Sequence, residues 1–407
     1  MSDHVANAGK VDVRAGVPSI VMFAAAILVA MNTICLPVFY VVGSWIVDNN
    51  GHNILADFGT LWTTGRLVRE NHPALAYDWE AVRQAMIALT GDPHLGRFGF
   101  HYPPPFLFVV AALAQFPYAA SCVGWVIVST VLYAAVVRTL VGRPVGWWLA
   151  LAFPALFFNS IIGQNGCLTA ALIGGALLLL PTRPILAGIC LGLLTYKPQF
   201  GLLFPIALIA AGQWRVVFSA TATAIVISIA SLVAFGSETW LAFFQQAPMT
   251  SQAFLSDGEA YFGKMQSLFA FVRYCGGGEA IAWIAHWSFV AAIAVALVYL
   301  WRSAARYEIK AAALATGAVL ATPYIFMYDL VVLAVPVALV VRVGLETGFA
   351  RFELRALMVA AALLTGFCIV TAPLGFVAAL VLAGVIADRA LGDLGVSHFS
   401  SARLASG

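Results

Sequence analysis

The chain has 407 residues, 62% of them hydrophobic and only 10% charged, against roughly 45–50% apolar and about 25% charged in an ordinary soluble domain. That balance excludes a water-soluble globule. The formal net charge of +3 gives no reason to invoke nucleic acid, because an excess of Arg is normal on the cytoplasmic side of a membrane protein.

Runs long enough to cross a hydrocarbon core, which takes about 20 helical residues, recur along nearly the whole chain. They are rich in Ala, Leu and Val and lack the alternation of barrel strands. Backbone groups in lipid need internal partners, so helix is the expected form. The predicted fold class is therefore an all-α polytopic membrane protein, a single integral domain over residues 1–407.

Lys10 and Arg14 lead into a first apolar run that exceeds a signal-peptide core of roughly 7–15 residues and is expected to stay as an anchor. Spans are predicted at 17–46, 119–137, 146–162, 166–181, 184–196, 199–213, 216–235, 280–301, 311–322, 328–342, 355–371 and 374–388. Those at 184–196 and 311–322 cover only about half a bilayer at 1.5 Å per residue. Segment 104–117, opened by Pro103, Pro104 and Pro105 and closed by Pro117, reads as interfacial or re-entrant. Of the six cysteines only Cys275 lies in a polar loop, and no metal spacing or disulfide framework follows.

Lys and Arg gather in short cytoplasmic loops, and this rule tests the assignment. If 104–117 does not cross, an inside N-terminus places Arg138, Arg143, Arg183, Arg215, Arg302, Arg306, Lys310, Arg342, Arg351, Arg355 and Arg389 all inside. Both termini are then cytoplasmic. The two long polar loops, 47–103 (with the re-entrant segment, 47–118) and 236–279, fall on the extracytoplasmic face. So do Gly163-Gln164-Asn165-Gly166, Tyr196-Lys197-Pro198-Gln199 and Thr322-Pro323-Tyr324 through Tyr328-Asp329. A ligand cavity at the outer surface needs such convergence.

Within the first loop, Ile54, Leu55, Phe58, Leu61 and Trp62 share one helical face while Asp57, Thr60 and Thr64 share another, the pattern of a helix lying in the interface. Asp57 reads either as a structural carboxylate or as a general base. His101-Tyr102-Pro103-Pro104 is a rigid extended entry to the next helix, and His101 is a candidate contact for a phosphate or hydroxyl. Lys197 either reaches for the interface or marks a site. As a compact cation it suits a phosphate, with Gln164, Asn165 and Gln199 as hydrogen-bonding neighbours and Arg66 as a second cation. Asp329 caps, pairs or binds. Gly188 and Gly192 read as helix-packing notches, and Gly276-Gly277-Gly278 as a flexible loop. No His-Glu-x-x-His, Walker or Gly-x-Ser-x-Gly pattern is present.

Taken in order, Asp57-Phe58 with Trp62 and Gly65, Tyr102-Pro103-Pro104, Gly163-Gln164-Asn165, Tyr196-Lys197-Pro198-Gln199 and Pro323-Tyr324 with Tyr328-Asp329 resemble glycosyltransferase family 87, over about residues 50 to 345. The resemblance implies a GT-C-type bundle of about 12 transmembrane helices, with interfacial helices in the first outer loop. It further implies a polyprenyl-monophosphate sugar donor, mannose in many members, a lipid or glycan hydroxyl acceptor and a catalytic Asp, here Asp57. Many GT-C enzymes carry adjacent acids at that point. Phe58 follows Asp57 here, which argues against paired-acid, metal-assisted variants, and neither a metal nor a cofactor is expected. Lys197 and Arg66 would hold the phosphate; Gln164, Asn165, Gln199, His101, Tyr102, Tyr324, Tyr328 and Asp329 complete the expected substrate contacts. A transporter or flippase of a lipid-linked saccharide would use the same cavity without forming a bond, but internal repeats and midplane charges are not evident. A lipid-linked polymer ligase is the third reading.

Overall fold

Proline and glycine punctuate the chain and divide it into helices. In the computed structural model, which describes residues 19–54, 56–96 and 99–395, α1 spans Ser19–Val41. Lys10, Arg14, the start of the first predicted span and Leu55 lie outside the described residues. The first loop folds as α2 (Asp57–Arg69), a 3-10 turn (Pro73–Tyr77) and α3 (Trp79–Thr90). Asp78 caps α3 by accepting from Glu80 N at 2.9 Å and Ala81 N at 3.1 Å, and left-handed Gly91 closes it. The return segment is a 3-10 turn (Pro104–Phe106) running into α4 (Leu107–Leu113). Together they reach about 15 Å, too short to cross.

Next come α5 (Tyr118–Val141), α6 (Val145–Leu151), α7 (Ala155–Ile162), α8 (Gly166–Leu179), α9 (Pro184–Leu193), α10 (Phe204–Ala210) and α11 (Trp214–Ser251). Pro117, Pro144 and Pro154 stand immediately before α5, α6 and α7, and Pro184 opens α9, where the missing N–H costs nothing. The chain finishes with α12 (Leu268–Tyr274), α13 (Glu279–Arg302), α14 (Tyr307–Leu320), α15 (Ala334–Thr347) behind a 3-10 turn (Met327–Leu333), α16 (Arg351–Gly366) and α17 (Leu374–Asp393).

Six of the described helices are long and apolar enough to cross a membrane, in α1, α5, α11, α13, the stretch Met327–Thr347 and α17. A seventh counts if α6 and α7, bent by 57° at Pro154, form one broken span. Among the described residues, length and composition thus support six or seven spans of full length rather than confirming about twelve. Predicted spans 166–181, 184–196, 199–213, 311–322 and 355–371 correspond to helices of 7 to 16 residues, at most about 24 Å of helix. The segment 236–279 also differs from a plain loop: α11 continues through Ser251 beyond a break at Gly236, whose φ of 82° and ψ of 163° are not helical.

The first loop is built into the bundle. Phe58 and Leu61 are buried, but so are Thr60 and Thr64 on the face predicted to be polar, and Thr63 beside them. The amphipathic pattern misled because α4 and α3 cover that helix. A Cβ on Gly65 would lie 2.0 Å from the Val110 carbonyl oxygen, Trp62 Nε1 donates to Phe116 O at 3.0 Å, and Arg69 donates to Ala114 O at 2.6 Å. Gly188 and Gly192 are packing notches as expected. Cβ atoms there would meet Ser219 and Thr223 at 2.5 Å, so α9 and α11 touch backbone to side chain.

Candidate active site

Four turns meet at the end of the bundle that carries the long segments. The first tight point is Gly163, in the left-handed region at φ 68°, which only glycine occupies without cost. Its carbonyl accepts from Trp125 Nε1 at 3.1 Å; Gln164 N donates to Asn159 O at 3.0 Å, and Gly166 N donates to Asn159 Oδ1 at 2.7 Å. The turn is thus held from both sides. A Cβ on Gly163 would lie 2.6 Å from that of Phe58, so the start of α2 rests directly on it.

That contact sets the chemistry. Gln164 Nε2 donates to Asp57 Oδ2 at 2.9 Å, and Tyr102 OH donates to Gln164 Oε1 at 2.9 Å. Three motifs far apart in sequence become one hydrogen-bonded chain. Asp57 stands at the first position of α2 and remains partly exposed. Among the described residues its Oδ1 has no hydrogen-bond partner. Burial pushes the Asp57 carboxyl above its ordinary value, with the Asp329 charge acting the same way, while the Gln164 N–H and the Lys264 charge pull it down.

Lys197 occupies the turn between the 3-10 pieces Leu194–Tyr196 and Pro198–Gly201. It is buried and ion-paired with Asp329, itself buried, whose Oδ2 also accepts from Phe326 N at 3.3 Å. The rings of Tyr328, Tyr102 and Phe200 surround the ammonium at 5.6, 6.0 and 6.0 Å. A Cβ on Gly166 would be 2.2 Å from the Tyr328 carbonyl oxygen, which seats the Met327–Leu333 turn against α8. Tyr196 OH lies 2.7 Å from Thr169 Oγ1, and its ring stacks on Phe106 at 4.8 Å. Tyr324 joins Phe254 and Phe326 in an aromatic wall, with centroids 5.2 and 5.0 Å away.

Asp57, Tyr102, Gln164, Lys197, Tyr328 and Asp329 therefore come together, with Tyr324 flanking them. Four predicted contacts do not join in the expected way. Arg66 follows Asp57 by nine residues, about 13.5 Å along α2 and on its opposite face; it pairs with Glu70 at 2.8 Å and lies over Trp62. Gln199 is half-buried without a hydrogen bond among the described residues. Asn165 is fully buried, its amide beside the Tyr102 hydroxyl but outside good hydrogen-bond geometry. His101 is engaged elsewhere, its Nδ1 3.2 Å from Thr250 Oγ1 and its ring against Trp79 and Phe254. Burial lowers the His101 imidazole to about 4, so at neutral pH it carries no charge for a phosphate.

Sequence reasoning missed Lys264. It is exposed on the 3-10 turn Phe262–Lys264, whose continuation bonds to the Tyr324 region through Gln266 N donating to Ile325 O at 2.8 Å and a bridge between Met265 and Phe326. Nothing in its local pattern distinguishes it from any loop lysine. The site thus offers a carboxylate with one oxygen fixed and one open, a nearby exposed cation, and an aromatic wall over a neutralised ion pair.

Searches among curated proteins and among solved structures returned no match. The sequence pattern of glycosyltransferase family 87 matches residues 100–323, which take in Tyr102, Gln164, Lys197 and Lys264, while Asp57 and Asp329 flank the matched stretch. With more than half its length matched, and the hydrogen-bonded turns of that stretch forming the site, the chain belongs to glycosyltransferase family 87 and is a membrane glycosyltransferase.

Proposed function

We propose that this glycosyltransferase moves a hexose, mannose by the family resemblance, from a polyprenyl monophosphate to a hydroxyl of a lipid or glycan acceptor, by one inverting displacement at the extracytoplasmic face. The carrying observation is Asp57: a partly exposed carboxylate held through one oxygen, with the other open. In this reading Asp57 Oδ1 takes the proton of the acceptor hydroxyl. The acceptor oxygen forms its bond to the anomeric carbon as the bond to the phosphate oxygen breaks, and that electron pair leaves on the phosphate. Base and leaving group act on opposite faces of the sugar, so the anomeric configuration inverts.

Lys264 is the cation best placed for the phosphate, because Lys197 is neutralised by Asp329 and Arg66 points away. Charge stabilisation at a leaving phosphate needs no covalent participation from the protein. The extracytoplasmic placement is supported by the basic residues. Arg143 reaches Leu345 O, Arg302 reaches Ala210 O, and Arg306 and Arg342 share Glu346, a cluster at the end of the bundle away from Asp57, as the cytoplasmic bias of Arg requires.

The test supplies purified protein with radiolabelled polyprenyl-phosphate mannose and a membrane-lipid extract. Release of polyprenyl phosphate with label on a second compound is the expected result. Label that crosses vesicles yet stays on the donor overturns the reading in favour of transport.

A further inference from the structure

We propose that Tyr102 and Gln164 form a positioning relay that dictates which oxygen of Asp57 receives the acceptor proton. The inference rests on Asp57 being the base.

An ionised carboxylate only accepts hydrogen bonds, whereas a primary amide accepts at one end and donates at the other. Gln164 can therefore serve Asp57 in one orientation, with Nε2 toward Oδ2. Turned over, it would set two acceptor oxygens against each other at the same 2.9 Å. In the retained orientation Oε1 accepts from the Tyr102 hydroxyl at 2.9 Å and from the Asn165 backbone N–H, which can only donate, at 3.4 Å. Both ends of the amide are committed, and Asp57 Oδ2 is occupied while Oδ1 remains open.

The backbone fixes the distances. Trp125 and Asn159 hold the Gly163–Gly166 turn, and Phe58 packs on Gly163 immediately beside Asp57. Tyr102 is anchored independently, its ring 4.8 Å from that of Phe106 and its carbonyl accepting from Tyr77 OH at 2.9 Å. Neither side chain has to touch the substrate for this role. The other groups that face Asp57 are Lys264 from the 3-10 turn Phe262–Lys264, Asp329 from the turn Met327–Leu333, and the phenols of Tyr324 and Tyr328. None of these four donates a hydrogen bond to the carboxylate; among the described residues only Gln164 does.

The test reads Asp57 directly. A hydrophobic carbodiimide modifies protonated carboxyls, so peptide-resolved mass spectrometry of the full chain in nanodiscs, across pH, reports the Asp57 midpoint without any sugar donor. Gln164→Ala removes a donor to the ionised form, so the midpoint should rise by about one to two pH units, the scale of a hydrogen bond to a charged group. Tyr102→Phe should move it the same way by less, and keeps the ring, so it serves where Gln164→Ala fails to fold. Gln164→Glu should convert the labelling curve into a two-step titration shared by two carboxyls. In turnover assays kcat should fall at least tenfold in Gln164→Ala with KM within twofold. Folded Gln164→Ala and Tyr102→Phe with unmoved midpoints overturn the relay, even in an active enzyme. A raised KM at unchanged kcat also overturns it, by making Gln164 a substrate contact. Failure of the wild type to transfer sugar overturns the role of Asp57 as base, whatever the midpoints do.

Discussion

Asp57, partly exposed, and Asp329, buried, share one site, yet they are stabilised by opposite means. Asp329 faces a full countercharge in Lys197 and an N–H from Phe326, and its environment is closed by three aromatic rings and the turn at Gly166. Asp57 has a neutral amide on one oxygen and nothing on the other among the described residues. Two carboxyls in contrasting surroundings take different duties. The ion pair consumes its charges in holding the 194–201 and 327–333 turns together, whereas the amide leaves basicity to spare. In the proposed reading Lys197, the most informative cation in the sequence, holds these turns, and the exposed Lys264 is the candidate for the phosphate.

The sharpest way to break this contrast is Asp57→Asn, which keeps size and hydrogen bonding but removes basicity. Turnover should fall by roughly 10²–10⁴-fold with donor saturating and donor affinity little changed. Near-normal turnover would make both carboxyls structural. For the ion pair the expected loss is in stability: Lys197→Ala or Asp329→Asn leaves a buried charge alone, which costs about 3–5 kcal/mol and should lower the unfolding midpoint in detergent. The double variant Lys197→Met with Asp329→Leu should recover most of that loss. If the single variants unfold like wild type, the pair does not hold the turns.

A smaller effect is predicted at Lys264. Lys264→Ala should raise donor KM by about tenfold at low salt, an effect that shrinks as ionic strength screens an exposed cation. Donor KM insensitive to both substitution and salt would return the phosphate to another group. The pH dependence sharpens the same comparison: only ionised Asp57 accepts a proton, and burial raises its carboxyl, so kcat should climb with pH through a midpoint above the ordinary aspartate value of about 3.9. A midpoint at or below that value would show that solvent, not burial, dominates there. The smallest change is expected for Arg66→Ala, which should leave kcat and KM within twofold because its charge is spent on Glu70.

Much of this protein was legible before any tertiary contact was known. Hydrophobic length and composition are local properties, so the membrane bundle and the notches at Gly188 and Gly192 follow from the residues alone. The Arg positions even collected the motifs at 102, 164, 197 and 328–329 onto one face, since successive crossings alternate ends. The number of full-length spans did not follow, because hydropathy does not fix where a helix stops: five apolar segments form helices of only 7 to 16 residues, and the span at 146–162 is bent at Pro154. The polar face of α2 was misread because hydropathy reports what a helix prefers, not which neighbours cover it.

Partnership was decided by the tertiary structure. Asp57 and Gln164 are 107 residues apart and Lys197 and Asp329 are 132 apart, and no periodicity links them. Which acid met the lysine and which met the amide depended on close approaches at Gly163 and Gly166, where the absence of a side chain lets α2 and the Met327–Leu333 turn reach the start of α8. Sequence set the supply of charges and the side of the membrane expected for them; packing at two glycines decided that Asp329 is neutralised while Asp57 keeps an open oxygen.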